Sequence, residues 1–225
     1  MTNISSLVNS FNELNEIFEK EQDFHKQIDL CAELYLSKNP DLNQDLVKKS
    51  ISYGFDMHKK DIRDSGKPYI IHPISVGLTL LTYKEKEYVT LCGPLHDVIE
   101  HNMEQKIDIS KHILKTFGLK SLLIINAVTI LNDNDSNKDK KAMEKLMGYK
   151  NFGYEEGIIL KAADSITNLY TKQGMKAKKN ISKEERINIF EKKAKTNLIP
   201  LIKRTNNSNR DLYIQTINHF IRNNY

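Results

Sequence analysis

Four residues of this chain combine into a donor set for a divalent cation: His72, the adjacent pair His96-Asp97, and Asp164. Two imidazoles and two carboxylates suit a borderline-hard ion such as Mn, Fe or Zn better than Ca. On a helix, adjacent residues stand about 100° apart around the axis, so His96 and Asp97 are expected to reach one ion lying between packed helices. His72 at a helix start and Asp164 on a later helix complete the set. Open positions on such an ion would take water and a phosphate oxygen, as metal-assisted hydrolysis requires. Taken singly, each residue has a plainer reading: His72, before Pro73, as a helix cap, and Asp164 as a surface or capping carboxylate.

The elements that would position these residues read as helices. With 9 Gly and 5 Pro in 225 residues, and apolar residues at helical spacing, the chain is expected to be all-α. Leu7, Phe11, Leu14 and Phe18 share one face of a first helix. Phe24, Ile28, Cys31 and Leu34 line a second, which breaks at Asn39-Pro40-Asp41. A third is expected from about Leu42 to Ile62. Asp64 to Tyr69 reads as a turn, and His72-Pro73 opens the next helix. A further helix is predicted to run through Tyr88, Leu91, Leu95 and Val98 and to carry His96-Asp97 and Glu100-His101. Gly118 marks a helix end at Phe117, and Leu119 to Leu131 is apolar enough for a central helix. Asn132 to Lys141 reads as a mobile polar loop. The helix with Ile158, Lys161, Asp164 and Asn168 precedes a second flexible stretch, Lys172 to Lys179. Ser182-Lys-Glu-Glu185 and Ser208-Asn-Arg-Asp211 read as capping boxes, and Pro200 as a kink.

Three segments, in order, carry a family resemblance. His58-Lys-Lys-Asp-Ile-Arg63-Asp-Ser65-Gly66-Lys67-Pro68-Tyr69-Ile-Ile-His72-Pro73 resembles the opening signature of the RelA/SpoT-type alarmone hydrolases. Leu95-His96-Asp97-Val98-Ile99-Glu100 resembles their His-Asp motif. Lys161-Ala-Ala-Asp164-Ser-Ile-Thr-Asn168-Leu-Tyr-Thr171 resembles their third metal-binding segment. The resemblance implies an all-α HD-domain helical bundle with Mn²⁺ held between helices by His72, His96, Asp97 and Asp164. It implies hydrolysis of the 3′-pyrophosphate of guanosine tetra- or pentaphosphate, (p)ppGpp, to GDP or GTP plus pyrophosphate. Arg63 would flank the guanine, since a guanidinium plane stacks on a base. Asn168 and Thr171 would bond the sugar or its phosphates, and Ser65, Lys67 and Tyr69 would border the nucleotide. The length implies a hydrolase-only member, with residues 1–40 a helical extension to a hydrolase domain over 41–225.

The chain departs from the family pattern where Glu-Asp usually follows the His-Asp pair: here the residues are Glu100 and His101. At helical spacing both would stay on the metal side, with Glu100 orienting or deprotonating the attacking water. His101 is open to three readings: a proton acceptor, an imidazolium beside the metal, or an added ligand. Lys67 stands where the family is usually acidic, and Ser165 where it usually has arginine. Two other functions therefore stay open: hydrolysis of another phosphorylated nucleotide such as NADPH, and alarmone binding without turnover.

Composition narrows the remaining classes. The net charge of +5 is small for a nucleic-acid binder, and no basic stripe with interleaved aromatics occurs. The run Lys172, Lys176, Lys178 and Lys179 reads as a solvated lysine loop, with steering of an anionic nucleotide as the alternative. No apolar run approaches the roughly 20 residues of a membrane span. The start of the chain lacks a secretory pattern, so a cytoplasmic protein is expected. Cys31 and Cys92 read as packed free thiols. A homo-oligomer is compatible with an all-helical chain but rests on no motif.

Overall fold

Most of the helical periodicity becomes helices in the described residues, 3–130, 138–177 and 181–223 of this computed structural model. An isolated antiparallel bridge pairs Ile62 with Pro68. Residues 132–137 of the polar block, together with Lys178 and Lys179, lie outside the described residues.

Two helices form the centre. α4 (Ile71–Thr82) is buried on every side from Ile71 to Leu81, the pattern of a helix enclosed by its neighbours. α9 (Glu156–Tyr170) packs along it and buries Ile158, Ile159, Leu160, Ala162, Ala163 and Ile166. α4 brings His72 at its first turn, and α9 brings Asp164 and Asn168. Around this pair lie α1 (Asn3–Lys20), α2 (Phe24–Lys38), α7 (Lys106–Val128) and α12 (Arg210–Arg222). The α1 stripe of Leu7, Phe11 and Leu14 belongs to the same core as α4 and α9. Cys31 and Cys92 are buried free thiols.

α3 (Gln44–His58) starts on Asn43, whose side chain accepts from the Leu46 amide. It ends four residues short of Ile62, which is 71% exposed. The chain instead folds over 59–70 into a hairpin-like loop, in which the Arg63 amide donates to Lys67 and the Gly66 amide to Arg63. Gly66 sits at φ +88, a conformation that favours glycine.

The helix expected through Tyr88 to His101 is broken. α5 (Glu87–Thr90) gives way to successive three-residue turns, and only α6 (Val98–His101) resumes the helix. The physical reason lies in Gly93-Pro94: Pro94 has no amide to continue the helix. A Cβ on Gly93 would also collide with the backbone of Gly77 in α4. The two glycines let the turn carrying His96 settle directly on the helix carrying His72.

Further along, Gly118 has φ 85 and breaks α7, as its type predicts. Residues 138–141, expected in a loop, open α8 (Lys138–Asn151). Ser182 and Glu185 form the predicted reciprocal cap of α10 (Lys183–Lys193). Pro200 follows a wide turn over Ala194–Leu198 and enters the first turn of α11 (Ile199–Ile202). The second predicted box does not form: α12 is preceded by Asn209, whose amide group donates to the Tyr83 carbonyl instead. Lys172 is no loop lysine. It is 2% exposed and its ammonium meets Glu191 at 2.9 Å and the Phe220 carbonyl at 2.6 Å. No helix among the described residues is long and apolar enough to cross a membrane.

Candidate active site

The first turn of α4, the 91–97 turns and the middle of α9 converge on one point. His72 Nε2 lies 3.1 Å from Asp164 Oδ1 and 3.9 Å from Asp97 Oδ2. His96 Nε2 lies 2.9 Å from Asp97 Oδ2 and 3.9 Å from Asp164 Oδ1. Nitrogens of both histidines and an oxygen of Asp164 fall within 4.8 Å of one another. The four residues named from sequence are thus assembled, although His96 and Asp97 get there from a turn rather than from one helix.

The cluster's chemistry suits a cation. His96 Nδ1 lies 2.8 Å from the Gly93 carbonyl, which only accepts, so Nδ1 carries the hydrogen and Nε2 faces the carboxylates. That Nε2 is buried and has no hydrogen-bond partner of proper geometry. A metal-ligating histidine is commonly oriented through its other nitrogen in this way. Burial works to lower the pKa of His96, but Asp97, and then Asp164, raise it to about 9. Burial, reinforced by Arg63, lowers His72 to about 4, so its lone pair is available. Burial opposes ionisation of both acids, yet His96 holds Asp97, and Lys161 with His72 hold Asp164, well below the usual carboxylate range. Negative charge that holds a proton on His96 would equally favour a divalent ion.

Other side chains lock the acids in place. The Tyr69 hydroxyl donates to Asp97 Oδ2 at 2.6 Å. Lys161 donates to Asp164 Oδ2 at 2.7 Å, and Asn168 to Asp164 Oδ1 at 2.6 Å. Arg63 Nη2 donates to Asn168 Oδ1 at 2.9 Å, and its guanidinium lies 5.8 Å from the Tyr69 ring centre. Arg63 Nη1 is buried without a hydrogen-bond acceptor. Lys161 was visible in its motif, but nothing in the sequence gave it this role.

Two cavities open on either side of the cluster and share Tyr69, His72, Asn168 and Phe190. The larger, of about 450 Å³, is lined by Arg63, Ser65, Lys67 and Thr171 as well. Phe11 and Asn15 of α1 form part of its wall, a contribution from outside the matched motifs that sequence reasoning missed. Lys67 turns towards α1, its ammonium 2.9 Å from Asn15 Oδ1 and 3.5 Å from Glu19. The smaller cavity, of about 320 Å³, contains Asp97, Glu100 and Asp164 with Lys138, Lys161 and Lys193. Glu100 therefore shares a cavity with the cluster, and one of its oxygens accepts from the Ile130 amide at 3.1 Å.

His101 pairs with Asp61. Its Nδ1 lies 2.9 Å from Asp61 Oδ2, and its ring packs on Tyr69 and His58.

No protein-family model matches the chain. Among curated proteins, it is 32% identical over 129 residues to a guanosine-3′,5′-bis(diphosphate) 3′-pyrophosphohydrolase of Borreliella burgdorferi, covering 56% of this chain and 19% of that protein. It is 29% identical over 107 residues to a GTP pyrophosphokinase of Myxococcus xanthus, covering 48% of this chain and 14% of the relative. A GTP pyrophosphokinase rsh of Brucella melitensis is 26% identical over 155 residues, 67% of this chain and 20% of the relative. The chain thus spans a fifth or less of the length of these three relatives.

Proposed function

We propose that this relative of the RelA/SpoT-type proteins is a (p)ppGpp 3′-pyrophosphohydrolase that works with Mn²⁺ in the cytoplasm. The observation that carries the reading is the cluster of His72, His96, Asp97 and Asp164 set between a cavity with Arg63 and Asn168 and one with three lysines. The name of the Borreliella burgdorferi relative supports the substrate.

His72, His96, Asp97 and Asp164 would hold the ion. When bound, a divalent ion there acidifies water and neutralises phosphate charge. Arg63, with Nη1 unpaired, offers a planar cationic face and a free donor to the base or a phosphate. Asn168 fixes Arg63 and Asp164 relative to each other, and Thr171 borders the same cavity. In the reaction, water oxygen bonds to the phosphorus attached to the 3′-oxygen, and that P–O bond breaks to release pyrophosphate and GDP or GTP. We assign Glu100 to orient the attacking water and take its proton. The lysines of the smaller cavity balance the charge of the phosphates.

The test is incubation of Mn²⁺-loaded protein with ppGpp and separation of products by anion exchange. GDP and pyrophosphate should appear, and should be lost with EDTA or with His96→Ala. Intact ppGpp alongside release of phosphate from NADPH would replace this substrate with another nucleotide. Binding of ppGpp without turnover would reduce the site to a sensor.

A further inference from the structure

Against the Tyr69 ring a second group of donors converges. Asp61 Oδ2 lies 2.9 Å from His58 Nδ1 and 2.9 Å from His101 Nδ1. One donor atom from each of the three residues lies within 4.8 Å of the others. We propose that His58, Asp61 and His101 form a second divalent transition-metal site, of the zinc class, separate from the His72–Asp164 cluster.

The donor set argues for the ion. Two imidazoles and one carboxylate, with remaining positions open to water, are a familiar zinc environment, and imidazole nitrogen selects Zn, Ni or Cu over Mg or Ca. Around a tetrahedral ion with bonds of about 2.0–2.1 Å, donor atoms stand about 3.3 Å apart. The two separations from Asp61, 2.9 Å each, need to open by only a few tenths of an ångström. Burial lowers the pKa of His58, which keeps the ring neutral as a ligand must be.

The backbone holds the donors in place before any ion arrives. His58 is the last residue of α3, and the Asp61 amide returns to its carbonyl at 2.9 Å. The Tyr69 amide donates to the Asp61 carbonyl at 2.9 Å, and the His101 amide to Asp97 at 3.0 Å. The side chain of His58 is fully buried, while those of Asp61 and His101 are 35% and 30% exposed. The site therefore has a rigid floor and an entry path. Of the ring's two nitrogens, Nδ1 faces Asp61, and Nε2 is buried without a hydrogen-bond partner.

An ion here would staple the end of α3, the 59–70 loop and α6. That loop carries Arg63, Ser65, Lys67 and Tyr69, and both imidazoles pack against the Tyr69 ring, with centroids 4.9 Å and 4.5 Å away. The ion would thus set the wall of the larger cavity from behind. The inference concerns metal binding alone and stands independently of what the neighbouring cluster hydrolyses.

The test is metal stoichiometry. Chelator-stripped protein is dialysed to equilibrium against Zn²⁺, and bound metal is counted by mass spectrometry for wild type, Asp61→Asn, His101→Ala, His96→Ala and the Asp61→Asn/His96→Ala double variant. Asp61→Asn and His101→Ala should each bind one equivalent fewer than wild type, and the double variant one fewer than His96→Ala. Equal stoichiometry in wild type, Asp61→Asn and His101→Ala would overturn the proposal. Far-UV circular dichroism checks that the variants fold. If the Asp61 and His101 variants do not, the wild-type chain supplies the second measurement: Zn²⁺ should shield His101 from diethyl pyrocarbonate, and unchanged labelling would overturn the site. Failure of the alarmone reading would show in product assays and leave these counts as they are.

Discussion

Arg63 and Asn168, 105 positions apart in sequence, are joined by a hydrogen bond of 2.9 Å from Nη2 to Oδ1. Asn168 passes the link on, donating to Asp164 Oδ1 at 2.6 Å. One amide thereby ties the loop that borders the larger cavity to an acid of the cluster. Its carbonyl faces the guanidinium and its NH₂ faces the carboxylate, so the side chain's orientation is fixed at both ends.

This link makes Asn168→Ala informative. Removing a group that orients a metal-ligating carboxylate typically lowers metal affinity about 10–100-fold. Mn²⁺ titration followed by electron paramagnetic resonance should show a loss in that range. Unchanged affinity would mean that Lys161 alone holds Asp164 in place.

Arg63 is predicted to act on substrate rather than metal. A hydrogen bond to a charged group contributes about 1.5–3 kcal/mol, so Arg63→Ala should lower kcat/KM for ppGpp roughly 10–100-fold. Arg63→Lys should recover little, because an ammonium has neither the plane that stacks on a base nor the fork that spans Asn168 and a ligand. Wild-type kcat/KM in the lysine variant would refute the role given to the planar group.

The meeting of Gly93 and Gly77 predicts a structural route to a damaged site. A methyl at Gly93 has no room against the Gly77 backbone, and overpacking of this kind costs about 1–3 kcal/mol. Because the 91–97 turn carries His96, Gly93→Ala should lower Tm by several degrees and weaken Mn²⁺ binding together. Calorimetry with and without Mn²⁺ would expose the coupling. A variant of normal Tm and normal affinity would show that the turn tolerates displacement.

The same contact explains what the sequence could and could not reveal. His72, His96, Asp97 and Asp164 were legible because their local motifs are distinctive, and they do converge. The route to convergence departs from the periodic pattern at residues 88–101, where Tyr88, Leu91, Leu95 and Val98 recur at helical spacing but the chain turns between α5 and α6. Gly93-Pro94 carried the contrary signal, and proline's missing amide overrides a periodic pattern. The pairing of His101 with Asp61, 40 positions away, is a long-range contact that no local spacing encodes. Phe11 and Asn15 were out of reach for a different reason: nothing local to α1 says which cavity it will wall. The Ser208–Asp211 spacing suited a cap, but Asn209 is drawn to Tyr83 and Glu85, a long-range competition that spacing does not encode.

That competition centres on Glu85, which is 9% exposed and accepts hydrogen bonds from Asn207 Nδ2 at 3.1 Å and Tyr213 at 3.3 Å. Burial is the main influence on its carboxyl and raises the pKa, against the lowering effect of Asn207, Asn209 and Tyr213. A carboxyl whose pKa is higher in the folded chain contributes stability fully below its unfolded value of about 4.3. That contribution is lost as pH rises through the folded value. Glu85→Gln has no such proton to lose. The Tm of wild type minus that of Glu85→Gln should therefore be most favourable to wild type near pH 4 and should shrink towards pH 7. The loop at 205–209 joins α11 to α12, so this carboxyl fastens the C-terminal helix to the end of α4. A difference that stays flat or grows with pH would show that the hydrogen bonds outweigh burial.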